Sequence, residues 1–357
     1  MNFQKNNLTF EPIIVSASDP DQESLIVDLK SKAIHINDNI FDQLSDLIKT
    51  RLPSKSMSKE ELENAISIHI GDCSLSKYGN WIYYPWNGHL VHTLPESEFI
   101  ELRTNRNRNK ITEEEQHTLS SKKIAVIGLS VGQSVSLALT MERICGELVI
   151  ADFDHIDLSN LNRIRTGIYN IGVPKTTVVA REIKEIDPYF KVTVYPEGAT
   201  KDNLPKILGD DQQVDILIDE CDSMEMKINM RLLARTLGIP TIMDTSDRGQ
   251  VDIERFDLNR QAPIFHGQID ESELESMDFN DPRTKLRVMQ SIIDFTSAST
   301  RAIQSFNEIG KTLKTWPQLA SSVLLGGAVT ADVCRRILLN ESKESGRFYV
   351  EIDKLVP

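Results

Sequence analysis

Twelve residues, "DFDHIDLSNLNR" at 152–163, hold three Asp, two Asn, a His and an Arg directly after the apolar run "ELVIA". So polar a connection after a strand sets charged groups at the strand's carboxyl end, where open α/β sheets bind their ligands. Upstream, "KIAVIGLSVGQS" puts Gly128 at the end of an apolar run and Gly132 at the start of a helical pattern, with Ser130 between them. Such a turn lets backbone N–H groups and a helix N-terminus approach a phosphate. The spacing is G-x-x-x-G, with Ser130 and Gln133 where the dinucleotide fingerprint has its second and third Gly, so the turn alone does not separate NAD from ATP. Asp152, at the tip of the second strand, is the kind of acid that takes ribose hydroxyls.

The cations discriminate further. Breaking a triphosphate asks for more positive charge than holding an intact pyrophosphate. The loop after Asp152 brings Asn160 and Arg163, and "GVPK" brings Lys175 to the first turn of the next helix. Both cations lie in the connection above one strand and are expected to converge on the same phosphates. "VDILIDECDSMEMK" then places Asp219 and Asp222 at the carboxyl edge of a later strand, where a carboxylate suits Mg²⁺ bridging phosphate oxygens. His155 reads as a framing loop residue.

These residues need a scaffold. Short apolar runs at 123–127, 148–151, 191–195, 214–218 and 241–243 alternate with helical patterns near 132–144, 175–186, 202–208 and 223–237. That alternation predicts an α/β fold: a Rossmann-like, doubly wound, mostly parallel sheet. After Gly249 an antiparallel strand "QVDIERFDL", an acidic stretch at 268–282 expected to be a mobile loop, and helical segments at 284–295, 296–310 and 319–339 form a C-terminal strand/helix extension. Residues 1–105 are expected to be an N-terminal α+β accessory domain, with helices at 39–52 and 58–70 and a hairpin in "WIYYPWNGHLVHTLP" turned by Asn87-Gly88.

In "GLSVG", "ADFDHIDLSNLNR", "IGVPK" and "IDECDS", in that order and spacing, residues 106 to about 260 resemble the adenylyltransferase domain of the ThiF/MoeB family, relatives of the ubiquitin-activating enzymes. Further stretches, "YYPW…LVHTLP", "RNRNKIT" and "TSDRG", are similar to a bacterial subgroup of ThiF-like proteins that often carry a nitroreductase-like domain, expected to be absent since the chain stops at Pro357. The resemblance implies an adenylation domain over 106–357, with a nucleotide-binding core at 122–248 and the extension at 249–357. It implies ATP and Mg²⁺ as cofactors: Asp152 on the ribose, Gly128, Ser130 and Gly132 around the phosphates, Asn160, Arg163 and Lys175 gripping them, and Asp222 on the metal. Arg106 or Arg108, in "RTNRNRNKIT", would reach an ATP site, often across a dimer.

The implied reaction is attack of a carboxylate on the α-phosphorus of ATP, giving an acyl-AMP and pyrophosphate. The carboxylate would belong to a small-protein C-terminus, a peptide or a small molecule, and a homodimer is expected. Relatives often pass the acyl group to a Cys or bind zinc through paired Cys. Here Cys73, Cys145, Cys221 and Cys334 are scattered without a C-x-x-C pair, so zinc is not expected, and with no Cys between 222 and 333 adenylation without obligatory transfer to an enzyme cysteine is expected. In "MDTSDRGQ" the strand end is charged where relatives have small residues, and Arg248 is expected to pair with Asp244 or Asp247 in preference to an acid carried by the substrate. Two other readings of the same residues are an NAD-dependent oxidoreductase, which leaves Arg163, Lys175 and Asp222 unused, and a non-catalytic nucleotide-binding scaffold.

Composition agrees. The formal net charge of −13 disfavours sequence-independent binding to nucleic acid or to an anionic membrane surface. No run approaches the roughly 18 apolar residues of a membrane span, and "MNFQKNNLTFEP" has no signal-peptide core, so a cytoplasmic location is expected.

Overall fold

In the computed structural model, which describes residues 8–209, 212–292 and 298–356, the chain divides into two units: residues 1–113 with 184–189, and residues 114–183 with 190–357. The first unit carries a four-stranded sheet in the order β1-β3-β4-β2, from β1 (Ile13–Ser16), β2 (His35–Asp38), β3 (Asn80–Tyr84) and β4 (His89–Thr93). β3 and β4 form the expected antiparallel hairpin, and Gly88 accepts the left-handed turn at φ +71°. Ser58 starts the helix Lys59–Ile70 with a reciprocal cap: its Oγ accepts from the Glu61 N–H while Glu61 Oε2 accepts from the Ser58 N–H. Leu44, Leu47, Ile66 and Leu94 close one small core, and Trp81, Leu29 and Leu90 another. "WIYYPW" is therefore largely core: Trp81 stacks on buried His92, whose ring nitrogens are held by Asp38 and the Tyr78 carbonyl.

The second unit is built on a seven-stranded sheet. Its strands are β5 (Lys123–Ile127), β6 (Glu147–Ala151), β7 (Lys191–Tyr195), β8 (Ile216–Asp219), β9 (Thr241–Asp244), β10 (Gln250–Glu254) and β11 (Gly346–Tyr349), ordered β11-β10-β9-β8-β5-β6-β7. The five from β9 to β7 run parallel, and β10 and β11 add on antiparallel. β5 and β6 are apolar on both faces because helices cover both. Ala125, Ile127, Val149, Leu217 and Met243 join one core with Ile207, Met230, Ala234 and Val288. The helix Ala320–Leu338 packs on the helix Gly132–Glu142, so closely that a Cβ on Gly327 would sit 2.8 Å from Ser134.

Helices at Pro282–Ile292, Thr300–Glu308 and Ala320–Leu338 answer the three expected in the extension; residues 293–297 between the first two lie outside the described residues. The acidic stretch differs from its expectation of a mobile loop. It carries a short turn at Glu271–Ser276, buries Ile269 in the main core and ties Glu271 to Arg235 at 2.7 Å. Its apolar residues and its ion pair, not its overall acidity, decide its placement.

Candidate functional site

β5 has parallel neighbours on both sides, β6 and β8, and their connections leave in opposite directions. Such a switch point is where open α/β sheets form a ligand crevice, at the strands' carboxyl ends. Gly128 leaves β5 at φ +93°, and a Cβ there would lie 2.3 Å from the Glu220 carbonyl oxygen, so the close approach of two chain segments demands glycine. At Gly132 the limit is a side chain: a Cβ would meet Val126 at 2.7 Å. The helix that follows has Val131 at its N-cap and no side-chain cap, leaving first-turn N–H groups for another acceptor.

Asp152 closes the turn from the neighbouring strand. Its Oδ2 accepts from the Leu129 N–H at 2.7 Å and its Oδ1 from the Asp154 N–H at 2.7 Å. Burial pushes its pKa up, against the pull of Lys175. Lys175, itself buried, donates to Asp154 Oδ2 at 2.7 Å and stands 3.8 Å from Asp152 Oδ2.

Arg163 lies on the other flank. Its Nε donates to Ser130 Oγ at 3.0 Å, and Nη1 donates to the Asn162 side chain at 2.9 Å and the Ser159 carbonyl at 3.4 Å. All three acceptors are neutral, and among the described residues no carboxylate pairs with this half-buried guanidinium. Burial lowers its pKa, with Asp222 opposing from nearby. Asn160 is buried and organises the loop: its Oδ1 accepts from the Asp157 N–H, and its carbonyl from the Arg163 and Ile164 N–H groups. Among the described residues its Nδ2 has no acceptor, so it remains able to donate to a ligand.

Asp219 and Asp222, alike in sequence, separate here. Asp219 is wholly buried and accepts from Lys227 Nζ at 3.0 Å and Arg231 Nη1 at 2.5 Å; burial would raise its pKa, but these two cations hold it low. It belongs to the fold, which corrects its place among the edge carboxylates. Asp222 is exposed, on Arg163's side of the turn. Among the described residues no group of three or more His, Cys, Asp or Glu could hold a metal by itself. A lone exposed carboxylate suits Mg²⁺, which completes its shell with phosphate oxygens and water.

Other candidates settle differently. Arg106 and Arg108 belong to the first unit, exposed, with Arg108 facing Glu113 at 3.8 Å. Arg248 pairs with Glu351 at 2.5 and 3.0 Å, not with Asp244 or Asp247. Asp247 instead takes the N–H and Oγ of Ser299, and Asp244 those of Ser246. Burial pushes the thiols of Cys221 and Cys334 up, so both stay protonated. His155 is an exposed bridge partner of Pro174.

Fold and edge together define a Rossmann-like α/β unit whose glycine turn is flanked by one open and one paired cation. The family model described as "ThiF family" matches residues 104–346, and the chain belongs to that family. Among its relatives, the "Uncharacterized protein MT1398" of Mycobacterium tuberculosis is 39% identical over 278 residues, covering 78% of this chain and 38% of that protein. The tRNA threonylcarbamoyladenosine dehydratase of Escherichia coli is 30% identical over 131 residues, 36% of this chain and 48% of that protein. The molybdopterin-synthase adenylyltransferase of Haemophilus influenzae is 25% identical over 169 residues, 46% of this chain and 68% of that protein. The chain thus spans less than half the length of the first two. Among the described residues no helix is long and apolar enough to cross a membrane.

Proposed function

We propose that the second unit is an ATP- and Mg²⁺-dependent adenylyltransferase that activates a carboxylate as its acyl-AMP and releases pyrophosphate. The observation that carries this reading is Arg163: a half-buried guanidinium bonded only to neutral oxygens, beside a glycine turn and an uncapped helix N-terminus. Such a charge, partly stripped of water and bonded to no carboxylate, favours an anion at that place. ThiF family membership and a relative named as an adenylyltransferase support ATP as that anion.

In this reading Asp152 takes the ribose, and Asn160 Nδ2, Arg163 and Lys175 hold the phosphates. Gly128, Ser130 and Gly132 shape the turn, and Asp222 holds Mg²⁺. The chemistry asks for positioning and charge neutralisation, not for a nucleophile on the enzyme. Cys221 and Cys334, both protonated by burial, fit a path without an enzyme thioester. The carboxylate belongs to a small-protein or peptide C-terminus or to a small molecule. Exposed Phe153, Leu158, Ile168 and Tyr169 on the site's own loop favour a homodimer, with Arg106 or Arg108 as candidates for reaching a nucleotide in either copy. The setting would be the cytoplasm.

The test is pyrophosphate exchange into ATP with a panel of amino acids, peptides and ubiquitin-like carriers as carboxylates. Exchange with at least one is expected, falling about 10²- to 10³-fold in Arg163→Ala and in Lys175→Ala, the scale for loss of one preorganised charge donor. Exchange that survives both substitutions undiminished would overturn the assignment.

A further inference from the structure

The Rossmann fingerprint has its third glycine where this chain has Gln133, and the side chain put there is 1% exposed. Its amide is fully used. Oε1 accepts from the Arg165 N–H at 2.8 Å, and Nε2 donates to the Arg165 carbonyl at 2.8 Å. This two-point pairing imitates a strand neighbour and satisfies both backbone groups of one residue. The second hydrogen of Nε2 goes to Glu182 Oε2 at 2.7 Å.

The three partners come from three segments. Gln133 begins the helix at the glycine turn, Arg165 lies two residues beyond Arg163, and Glu182 sits on the helix that opens with Lys175. Upstream, the Asn160 carbonyl already fixes the Arg163 and Ile164 N–H groups at 3.0 and 2.8 Å. The stretch from Asn160 to Arg165 is thus held at both ends, and Arg163 stands between the holds with its guanidinium on Ser130. No other side chain offers one acceptor and two donors at this reach: Glu lacks the donors, and Met lacks both.

We infer that Gln133 is a positioning residue for Arg163, fixing the backbone of the phosphate-facing loop against the glycine turn and the Lys175 helix. It touches no ligand itself. On this inference its effect on nucleotide binding passes through Arg163, not through the glycine turn or Lys175. The inference rests on the adenylyltransferase reading for the nucleotide and for the phosphate role of Arg163.

The experiment is a double-mutant cycle in the full chain, with α,β-methylene-ATP and Mg²⁺ as the probe, affinity measured by calorimetry and stability by urea unfolding. Gln133→Met, which keeps the volume, is expected to weaken binding about tenfold in the parent and less than twofold in an Arg163→Ala background. A purely structural role would lower stability equally in both backgrounds and leave the two binding losses equal. Equal losses, or none in the parent, would overturn the inference. Should Arg163→Ala alone leave affinity unchanged, the phosphate role of Arg163 fails, and with it both the inference and the observation carrying the adenylation reading. A loss in Arg163→Ala with equal Gln133→Met losses sinks the inference alone. If Gln133→Met does not fold, Glu182→Leu removes the acceptor on the third segment and carries the same cycle, with an expected threefold loss confined to the Arg163 background.

Discussion

Arg163 and Arg231 belong to the same unit and treat their charges in opposite ways. Arg231 is completely buried, bonded to Asp219 and Glu254 at 2.5 Å each and stacked over Phe265 at 4.1 Å. Burial alone would lower its pKa, but Glu254 and Asp219 more than offset that and keep it protonated. Arg163, half-buried, meets only hydroxyl, amide and carbonyl oxygens. One charge is neutralised within the chain and serves the fold; the other is bonded to neutral oxygens alone, and on that ground a ligand is proposed for it. Burial depth does not by itself mark a candidate functional cation; burial without a bonded carboxylate does.

The largest effect that tests this contrast is on stability. Arg231→Met takes the cation from Glu254 and leaves Asp219 with Lys227 alone, and is expected to lower the unfolding free energy by about 3–5 kcal/mol, whereas Arg163→Met should change it by less than about 1 kcal/mol. Urea unfolding of both variants measures this, and similar losses would erase the distinction. Next is the buried Asp244, raised by burial to about 6 from 3.8. Between those values the native chain keeps a proton that the unfolded chain has lost, so this contribution to stability is present below pH 4 and is lost as pH rises through 6. Asp244→Asn, neutral throughout, is expected to remove that decline, gaining about 2–3 kcal/mol on the parent at pH 8 relative to pH 4. Parallel Tm–pH profiles would refute it. The smallest effect is at Asp222: Asp222→Asn should leave stability within about 0.5 kcal/mol and raise the Mg²⁺ needed for half-maximal exchange severalfold, and an unaltered metal dependence would remove it from that role.

The alternation of apolar runs with 3.6-residue patterns revealed the central sheet because β5 and β6 are buried on both faces. β2 escaped notice because all four of its residues are exposed and its pairing with β4 is parallel and distant. β11 escaped as well: a four-residue edge strand beginning in glycine carries no pattern of its own. At the site, residue types and spacing disclosed the glycine turn, Asp152, Arg163 and Lys175. They could not tell Asp219 from Asp222, since the choice depends on Lys227 and Arg231, one and two helical turns into the following helix. Nor could they show that Arg248 would find Glu351 on the far side of the extension, or that Gln133, filling a glycine's place, would be a bracket. A signal for Gln133 existed in its departure from the fingerprint, but its partners, Arg165 and Glu182, lie 32 and 49 residues further on and carry no matching signal.

The position of β5 also bears on how the molecule assembles. The strand ending at Ile127 must recruit β6, beginning at Glu147, on one side and β8, beginning at Ile216, on the other. The first closure spans a short loop; the second spans a long one and is entropically dearer. Because Gly128 is wedged against Glu220 beyond β8, the crevice has no floor until that second closure is complete. A nascent or truncated chain ending before Ile216 would carry the glycine turn, Asp152, Arg163 and Lys175, yet have no formed pocket. Competence to hold the nucleotide proposed for this site would then wait on the pairing of β8.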